Sequence, residues 1–167
     1  PANIINPLTL VTRAHELANQ TGLKCTVLGK HELEKLGAGA ILSVGLGSNS
    51  PSQLIILEHP GRGKQEDSAP VVIAGKAITF DTGGYSLKDK SGIVGMKFDK
   101  CGGMAIFGIM QAVAKLELDI PVVGIIAAAE NMISSEAYRP NDIITSLSGK
   151  TIEIISTDAE GRMVLAD

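Results

Sequence analysis

The chain has 167 residues, with 15 lysines and arginines against 18 aspartates and glutamates, so its formal net charge is −3 at pH 7. Hydrophobic residues make up 44% of the chain, which is enough for a sizeable core and excludes a disordered charged tail. The mild acidity and the lack of a lysine and arginine cluster indicate neither a nucleic-acid partner nor an anionic membrane surface.

Two features bear on the location of the protein. The longest apolar stretch, residues 120–129, contains Pro121 and Gly124 and is far shorter than the ~20 residues that cross a bilayer. Cys25 and Cys101 lack CxxC spacing, which favours free thiols in a reducing compartment. The first residues of the chain show no signal-peptide pattern. A chain that begins without Met is typical of an excised segment. We therefore predict a cytoplasmic protein without a membrane partner.

The first elements are marked by local signals. Asn6-Pro7 predicts a helix start with Asn6 as N-cap, and apolar residues at helical spacing continue to Gly22. Residues 24–28 are predicted as a short strand and residues 31–36 as a short helix, which Gly37 ends. A glycine-rich stretch over residues 37–47 follows.

Two apolar runs of strand length come next. Residues 54–58 are apolar up to the closing Glu58, residues 71–75 are apolar throughout, and a polar loop over residues 59–70 separates the two runs. Such runs predict strands within a covered sheet, joined by a solvated loop. Residues 76–100 show neither the helical nor the strand period of apolar residues, and glycine is frequent there.

The last part of the chain predicts a helix, a strand and a hairpin. Residues 102–116 are apolar at helical spacing, with one face formed by Ala105, Ile109, Ala112 and Leu116. Residues 121–128 predict another buried strand, and residues 143–147 and 151–155 predict a hairpin. We therefore predict a single α/β unit with a mixed, mostly buried β-sheet flanked by helices.

Three familiar signatures fail when their spacing is counted. Before Gly149-Lys150-Thr151, Ile144 stands where a phosphate-binding loop needs glycine. After Gly45-Leu46-Gly47, Ser50 stands where a dinucleotide fingerprint needs its third glycine. A Gly-x-Ser-x-Gly elbow is absent from the sequence, so a serine hydrolase has little support.

Charged side chains instead follow two of the predicted buried strands, where α/β sheets build their sites. These residues are Lys76, Asp81, Lys88 and Asp99 after the first strand, and Asp158, Glu160 and Arg162 after the second. In an extended backbone, Asp158 and Glu160 face the same side, and Gly161 lets the chain turn sharply. We therefore expect the carboxylates of the two segments to converge.

Converging carboxylates repel one another, and a highly charged cation favours their shared ionisation. Oxygen ligands suit Mg²⁺, Mn²⁺ or Zn²⁺, and four carboxylates favour two bridged ions over one. Burial and nearby cations would lower the pKa of Lys76, so that a neutral amine could bind metal. Lys88 and Arg162 would then stabilise negative charge on a substrate.

The same residues also have separate structural interpretations. Asp81 suits a turn, Asp99 suits a helix N-cap, and Asp158 and Glu160 suit a solvated loop. From the residues alone, a two-metal site and these separate roles both remain open.

Two segments resemble a known family. The run Thr157-Asp158-Ala159-Glu160-Gly161-Arg162 is similar to the signature of the M17 leucyl aminopeptidases. Gly75-Lys76, Phe80-Asp81-Thr82-Gly83-Gly84, Met96-Lys97 and Asp99 are similar to the other metal-site segment of that family. The resemblance extends over residues 1–167. It implies the first half of a catalytic domain, incomplete at its C-terminus and without the smaller N-terminal domain of the family.

The resemblance also implies a ligand set for two divalent ions, Mn²⁺ or Zn²⁺. One ion would be held by Asp81, Asp158 and Glu160, and the other by Lys76, Asp81, Asp99 and Glu160. Asp81 and Glu160 would therefore bridge the two ions.

Further roles follow from the same resemblance. Lys88 would polarise the scissile carbonyl, and Arg162 would anchor a bicarbonate acting as general base toward a metal-bridging water. Met96 would line the pocket for the N-terminal side chain. Ser156 stands where the family usually has Asn close to the substrate, so its contact would be shorter or mediated by water. The implied reaction is release of an N-terminal amino acid, with a leucine-type preference, from peptide substrates by a homo-hexamer.

Two alternatives stay open. The chain could serve only as an assembly or binding element, because an incomplete domain exposes apolar surface. It could also belong to a dinuclear metallohydrolase of other small amides or dipeptides, because Ser156 and an incomplete pocket leave the specificity undefined.

Overall fold

Helices and strands alternate along most of the chain in the computed structural model, which describes residues 1–62 and 69–167. The helices are α1 (Pro7–Thr21), α2 (Lys30–Leu36), α3 (Gly39–Gly45), α4 (Lys90–Ile93), α5 (Cys101–Lys115) and α6 (Glu160–Val164). The strands are β1 (Lys24–Leu28), β2 (Gln53–His59), β3 (Val71–Asp81), β4 (Val122–Asn131), β5 (Ile143–Thr145) and β6 (Thr151–Glu153). One 3₁₀ turn covers Met96–Phe98.

The main sheet has four strands in the order β1-β2-β4-β3. β2 pairs antiparallel with β1 and with β4, whereas β3 pairs parallel with β4. β5 and β6 form a separate antiparallel hairpin. The predicted α/β fold, with a mixed sheet flanked by helices, is confirmed.

Residues on β4 show that helices cover both faces of the sheet. Ile126 and Ala128 belong to a core cluster that includes residues of α1 and α5. Ala127 and Ala129 belong to a second cluster with residues of α2, α3 and α6. Because side chains alternate between the faces of a strand, these two clusters lie on opposite sides of the sheet.

The start of α1 follows its local sequence. Asn6 is the N-cap, and its side chain accepts a hydrogen bond from the backbone N–H of Thr9 at 3.0 Å. The Thr9 hydroxyl accepts one from the backbone N–H of Asn6 at 2.8 Å, which satisfies two otherwise unpaired donors. Gly22 ends the helix in a left-handed conformation with φ of 75°, as predicted.

The glycine-rich stretch contains a helix that the sequence analysis missed. A Cβ on Gly39 would overlap the carbonyl of Thr145, and one on Gly45 would overlap the side chain of Ser52. These glycines therefore permit close packing rather than a turn. The side chain of Asp167 accepts hydrogen bonds from Ala40 N at 2.8 Å and Ile41 N at 2.9 Å, so the start of α3 is capped from the far end of the chain.

The α5 helix is confirmed, but the face singled out from the sequence is its exposed one. Ile109 and Leu116 of that face are exposed, whereas Ile106, Met110 and Val113 are buried against the sheet. The helix is apolar on both sides, so periodicity alone does not select the buried face.

β3 differs from its prediction in length and cover. It continues through residues 76–81, and Val71 and Val72 at its start are exposed rather than covered. β3 lies at an edge of the sheet, and residues 77–79 of the same strand are fully buried, so only its beginning lacks cover. Residues 63–68 of the predicted solvated loop lie outside the described residues.

Cys25 is half-buried, Cys101 is exposed, and both are free thiols. In residues 1–62 and 69–167, every helix is too short or too polar to cross a bilayer.

Two glycines of α5 provide a test of the packing against the sheet. A Cβ on Gly103 would lie 2.6 Å from Ala77 Cβ, whereas one on Gly108 would meet open space. We expect Gly103→Ala to destabilise the protein by about 1–3 kcal/mol through overpacking. Gly108→Ala should stabilise it by up to about 1 kcal/mol through helix propensity.

Urea denaturation followed by circular dichroism measures both changes. Equal effects of the two substitutions would contradict the close contact between α5 and β3.

Candidate metal centre

Carboxylates from both predicted segments meet at the C-terminal end of β3. Asp81 ends β3 and Glu160 begins α6, and each is only 2% exposed. Asp158 lies in the turn before α6. Asp81, Asp158 and Glu160 each offer one carboxylate oxygen, and these oxygens lie within 4.8 Å of one another. The expected convergence of the two segments is therefore observed.

Lys76 and Asp99 extend this cluster on one side. Lys76 Nζ lies 2.8 Å from Asp99 Oδ1 and 2.7 Å from Glu160 Oε1. Burial lowers the pKa of Lys76, but its hydrogen bonds and attraction to the two carboxylates outweigh burial, so the pKa is raised. The lowered pKa expected from the sequence is not found in the chain itself, because carboxylates surround the amine.

The pKa of Glu160 is also raised. Its first cause is burial, which disfavours the charged carboxylate, and the nearby charge of Asp81 adds to it. Lys76 acts in the opposite direction by donating a hydrogen bond to Glu160. A nearby cation such as Lys76 therefore favours the ionised form of Glu160 in this position.

Lys88 lies on the other side of the cluster. Its Nζ is 3.0 Å from Asp81 Oδ2 and also forms an ion pair with Asp158 Oδ1. Burial lowers the pKa of Lys88, but the hydrogen bonds to Asp158 and Asp81 outweigh it and raise the pKa. Lys88 is thus a protonated donor directed at the same carboxylates.

Three local expectations need correction. Asp158 and Glu160 do not share an extended backbone, because Asp158 lies in a turn and Glu160 in a helix. Gly161 lies within α6 rather than in a sharp turn, and a Cβ there would come 2.8 Å from Lys76 Cδ. Lys100, not Asp99, occupies the N-cap position of α5. The absence of a side chain at Gly161 therefore leaves room for Lys76.

The remaining predicted residues lie on the same elements. Arg162 is exposed on α6 and lines a surface cavity of about 290 Å³ together with Ser156. The Ser156 hydroxyl accepts a hydrogen bond from Asp158 N at 3.2 Å. Met96 is half-buried and begins the 3₁₀ turn that leads to Asp99.

Sequence analysis missed the residues that hold the two segments together. Thr157 is fully buried, and its hydroxyl accepts from Ser86 N at 2.8 Å and donates to the carbonyl of Gly83. Asn131 and Tyr138 both donate to the carbonyl of Thr157, at 2.9 and 2.8 Å. Asn131 could have been found because it follows an apolar strand, the same signal that pointed to Asp81 and Asp158.

The donor set fits divalent cations. Four carboxylates face two lysines, which leaves an excess of negative charge. Within the described part of the chain, the buried oxygens Glu160 Oε2 and Asp99 Oδ2 have no hydrogen-bond partner. Buried oxygens without partners are costly unless a cation or a donor reaches them.

The fold and the site thus define an α/β protein with a candidate metal centre at the end of a parallel strand pair. Residues 1–167 match the family model described as the cytosol aminopeptidase family, catalytic domain. The chain belongs to this family.

Curated relatives agree with the family match. The chain is 52% identical to a probable cytosol aminopeptidase of Thioalkalivibrio sulfidiphilus and 48% identical to one of Exiguobacterium sibiricum. It is 46% identical to the cytosol aminopeptidase of Vibrio cholerae. Each comparison covers 100% of this chain but only 34, 34 and 33% of the respective relative. The chain therefore spans about a third of the length of these relatives.

The buried ion pairs predict a stability difference in the metal-free protein. Lys76→Met leaves the buried carboxylate of Glu160 without its cation, and we expect a loss of about 3–5 kcal/mol. Lys24→Met is the matched control, because Lys24 pairs with Glu58 at 2.7 Å but its side chain is 72% exposed. Loss of that pair should cost at most about 1 kcal/mol.

Denaturation in the presence of EDTA compares the two variants. A loss for Lys76→Met as small as that for Lys24→Met would show that Lys76 does not stabilise the buried carboxylates.

Proposed function

We propose that the full-length protein is a metal-dependent aminopeptidase that releases N-terminal amino acids, with a leucine-type preference, from peptides. The observation that carries this proposal is the cluster of Asp81, Asp158 and Glu160, whose oxygens lie within 4.8 Å. The cluster lies in a chain that matches the catalytic domain of the cytosol aminopeptidase family. The names of the curated relatives support the same activity.

We propose that two divalent ions, Mn²⁺ or Zn²⁺, bind here. Asp81, Asp158 and Glu160 would hold one ion, and Lys76, Asp81, Asp99 and Glu160 would hold the other. The ion pairs of Lys76 with Asp99 and Glu160 support this assignment, because they place the amine beside both carboxylates. When bound, such ions supply Lewis acidity toward a carbonyl and a water.

The chain's own residues then account for orientation and charge. Lys88 lies beside Asp81 and Asp158 with a raised pKa, so it can donate a hydrogen bond to the substrate carbonyl oxygen as negative charge develops there. Arg162 is exposed and can bind an anion, for which we propose the bicarbonate of the family. Met96 would line the pocket for the N-terminal side chain, and Ser156 would contact the substrate.

The chain would form the first half of the catalytic domain in a longer protein, and its coverage of about a third of each relative supports this. The homo-hexamer implied by the family resemblance is likewise a proposal. The exposed apolar residues of α5, including Ile109 and Leu116, offer surface for assembly. Light scattering on the full-length protein measures the number of subunits.

Metal stoichiometry tests the bridging assignment. We expect the full-length protein to bind two Mn²⁺ or Zn²⁺ ions per chain and to hydrolyse leucine amide. Asp81→Ala and Glu160→Ala should lose both ions, because each residue would contact both. Glu153→Ala is the control, since Glu153 is an exposed carboxylate on β6 and its removal should leave metal content unchanged.

Metal analysis after gel filtration gives the stoichiometry. Retention of two ions by either bridging variant would refute the assignment. Two ions without turnover of leucine amide, but with turnover of another dipeptide or amide, would favour the alternative metallohydrolase.

Kinetics test the role of Lys88. Lys88→Met should keep the bound metal and lower kcat by about 10²–10³-fold, the effect of removing one donor to developing charge. Lys90→Met, at the exposed start of α4, should leave kcat unchanged. A change confined to KM would contradict a role of Lys88 in stabilising the transition state.

A further inference from the structure

We propose that Asn131 is a positioning residue that orients the carboxylate of Asp81 toward the metal centre. This inference rests on the proposed function, because it concerns how the chain prepares one ligand of that centre. Asn131 ends β4 and is paired in register with Asp81 at the end of β3. It is 0% exposed, so its amide meets only protein groups.

The amide of Asn131 contacts both segments that carry candidate ligands. Its Nδ2 donates to Asp81 Oδ1 at 2.8 Å and to the carbonyl of Thr157 at 2.9 Å. Thr157 directly precedes Asp158. One NH₂ group therefore ties the end of β3 to the turn before α6.

These two acceptors also fix the orientation of the amide. If the amide were reversed, its oxygen would face a carboxylate and a carbonyl, neither of which can donate a hydrogen bond. The Asn131 oxygen in turn has no hydrogen-bond partner among the described residues. Among the described residues, the side-chain amide is therefore held only by the two hydrogen bonds that it donates, to Asp81 and to the carbonyl of Thr157.

The two carboxylate oxygens of Asp81 therefore have different partners. Oδ1 accepts hydrogen bonds from Asn131 and from the backbone N–H of Gly83, at 2.8 and 2.9 Å. Oδ2 faces Lys88 at 3.0 Å. Two donors on Oδ1 restrict rotation of the carboxylate, so that Oδ2 is directed into the site.

Tyr138 allows this effect to be separated from general support of the loop. Its hydroxyl donates to the same Thr157 carbonyl at 2.8 Å, and it is buried like Asn131. Tyr138→Phe therefore removes a buried hydrogen bond to the loop while the bond from Asn131 to Asp81 remains. A purely structural role would make the two substitutions equivalent.

Calorimetric titration of Mn²⁺ into EDTA-treated, dialysed full-length protein tests the proposal. Asn131→Leu keeps a similar volume but removes the donors, and we expect Mn²⁺ affinity to fall about 10–100-fold, as for other partners of metal ligands. Tyr138→Phe should lower the affinity much less, because the hydrogen bond from Asn131 to Asp81 remains. Activity of Asn131→Leu toward leucine amide should recover as Mn²⁺ is raised, because the ligands themselves remain.

Wild-type affinity in Asn131→Leu, or an equal loss in Tyr138→Phe, would overturn the positioning role and leave the aminopeptidase proposal intact. If the wild type binds neither Mn²⁺ nor, in a parallel titration, Zn²⁺, both the positioning role and the metal-dependent aminopeptidase are overturned. If Asn131→Leu does not fold, Asn131→Ser is titrated in its place with the same expectation. The serine side chain is still polar but reaches one bond less far than that of asparagine.

Discussion

Burial of two carboxylates, those of Asp81 and Glu160, is the constraint on which the arrangement of the site depends. A buried carboxylate is costly unless cations and hydrogen-bond donors surround it. The positively charged Lys76 forms an ion pair with Glu160, and Lys88 forms one with Asp81. Asn131 supplies a neutral donor to Asp81. The whole site has four carboxylates against two lysines, so its remaining charge is negative, and this makes it suitable for divalent cations.

The sheet topology brings these groups together. β3 and β4 run parallel and end beside each other, so Asp81 and Asn131 reach the same edge although they are far apart in sequence. Thr157 then joins the turn that carries Asp158 to the loop after β3, through Gly83 and Ser86. The candidate ligands Asp81, Asp158 and Glu160 therefore stand at a strand end, in a turn and at a helix start, and buried hydrogen bonds connect these segments. Such support keeps ligand geometry within the narrow limits that metal binding requires.

Several glycines act through the space they leave rather than through backbone flexibility. Gly161 leaves room for Lys76, which would otherwise be displaced from Glu160. Gly103 allows α5 to approach Ala77 on β3, next to Lys76 in the chain. Close approach of α5 and α6 to β3 thus sets the position of the lysine. This explains the glycines at positions 103 and 161, which lie inside helices although the intrinsic helix propensity of glycine is unfavourable.

The sequence by itself determined the elements whose signals are local, and the residue types of the site. Asn6 and Gly22 mark the ends of α1, and the apolar runs mark the strands, because caps and apolar runs act within a few residues. The signature around Asp158 and Glu160 also identified the family. Tertiary structure alone decided that Gly39–Gly45 is helical, since the cap from Asp167 comes from the other end of the chain. It also decided which face of α5 is buried, that carboxylates raise the pKa of Lys76, and that Asn131 contacts Asp81. Each of these depends on contacts between residues far apart in sequence, which no local pattern encodes.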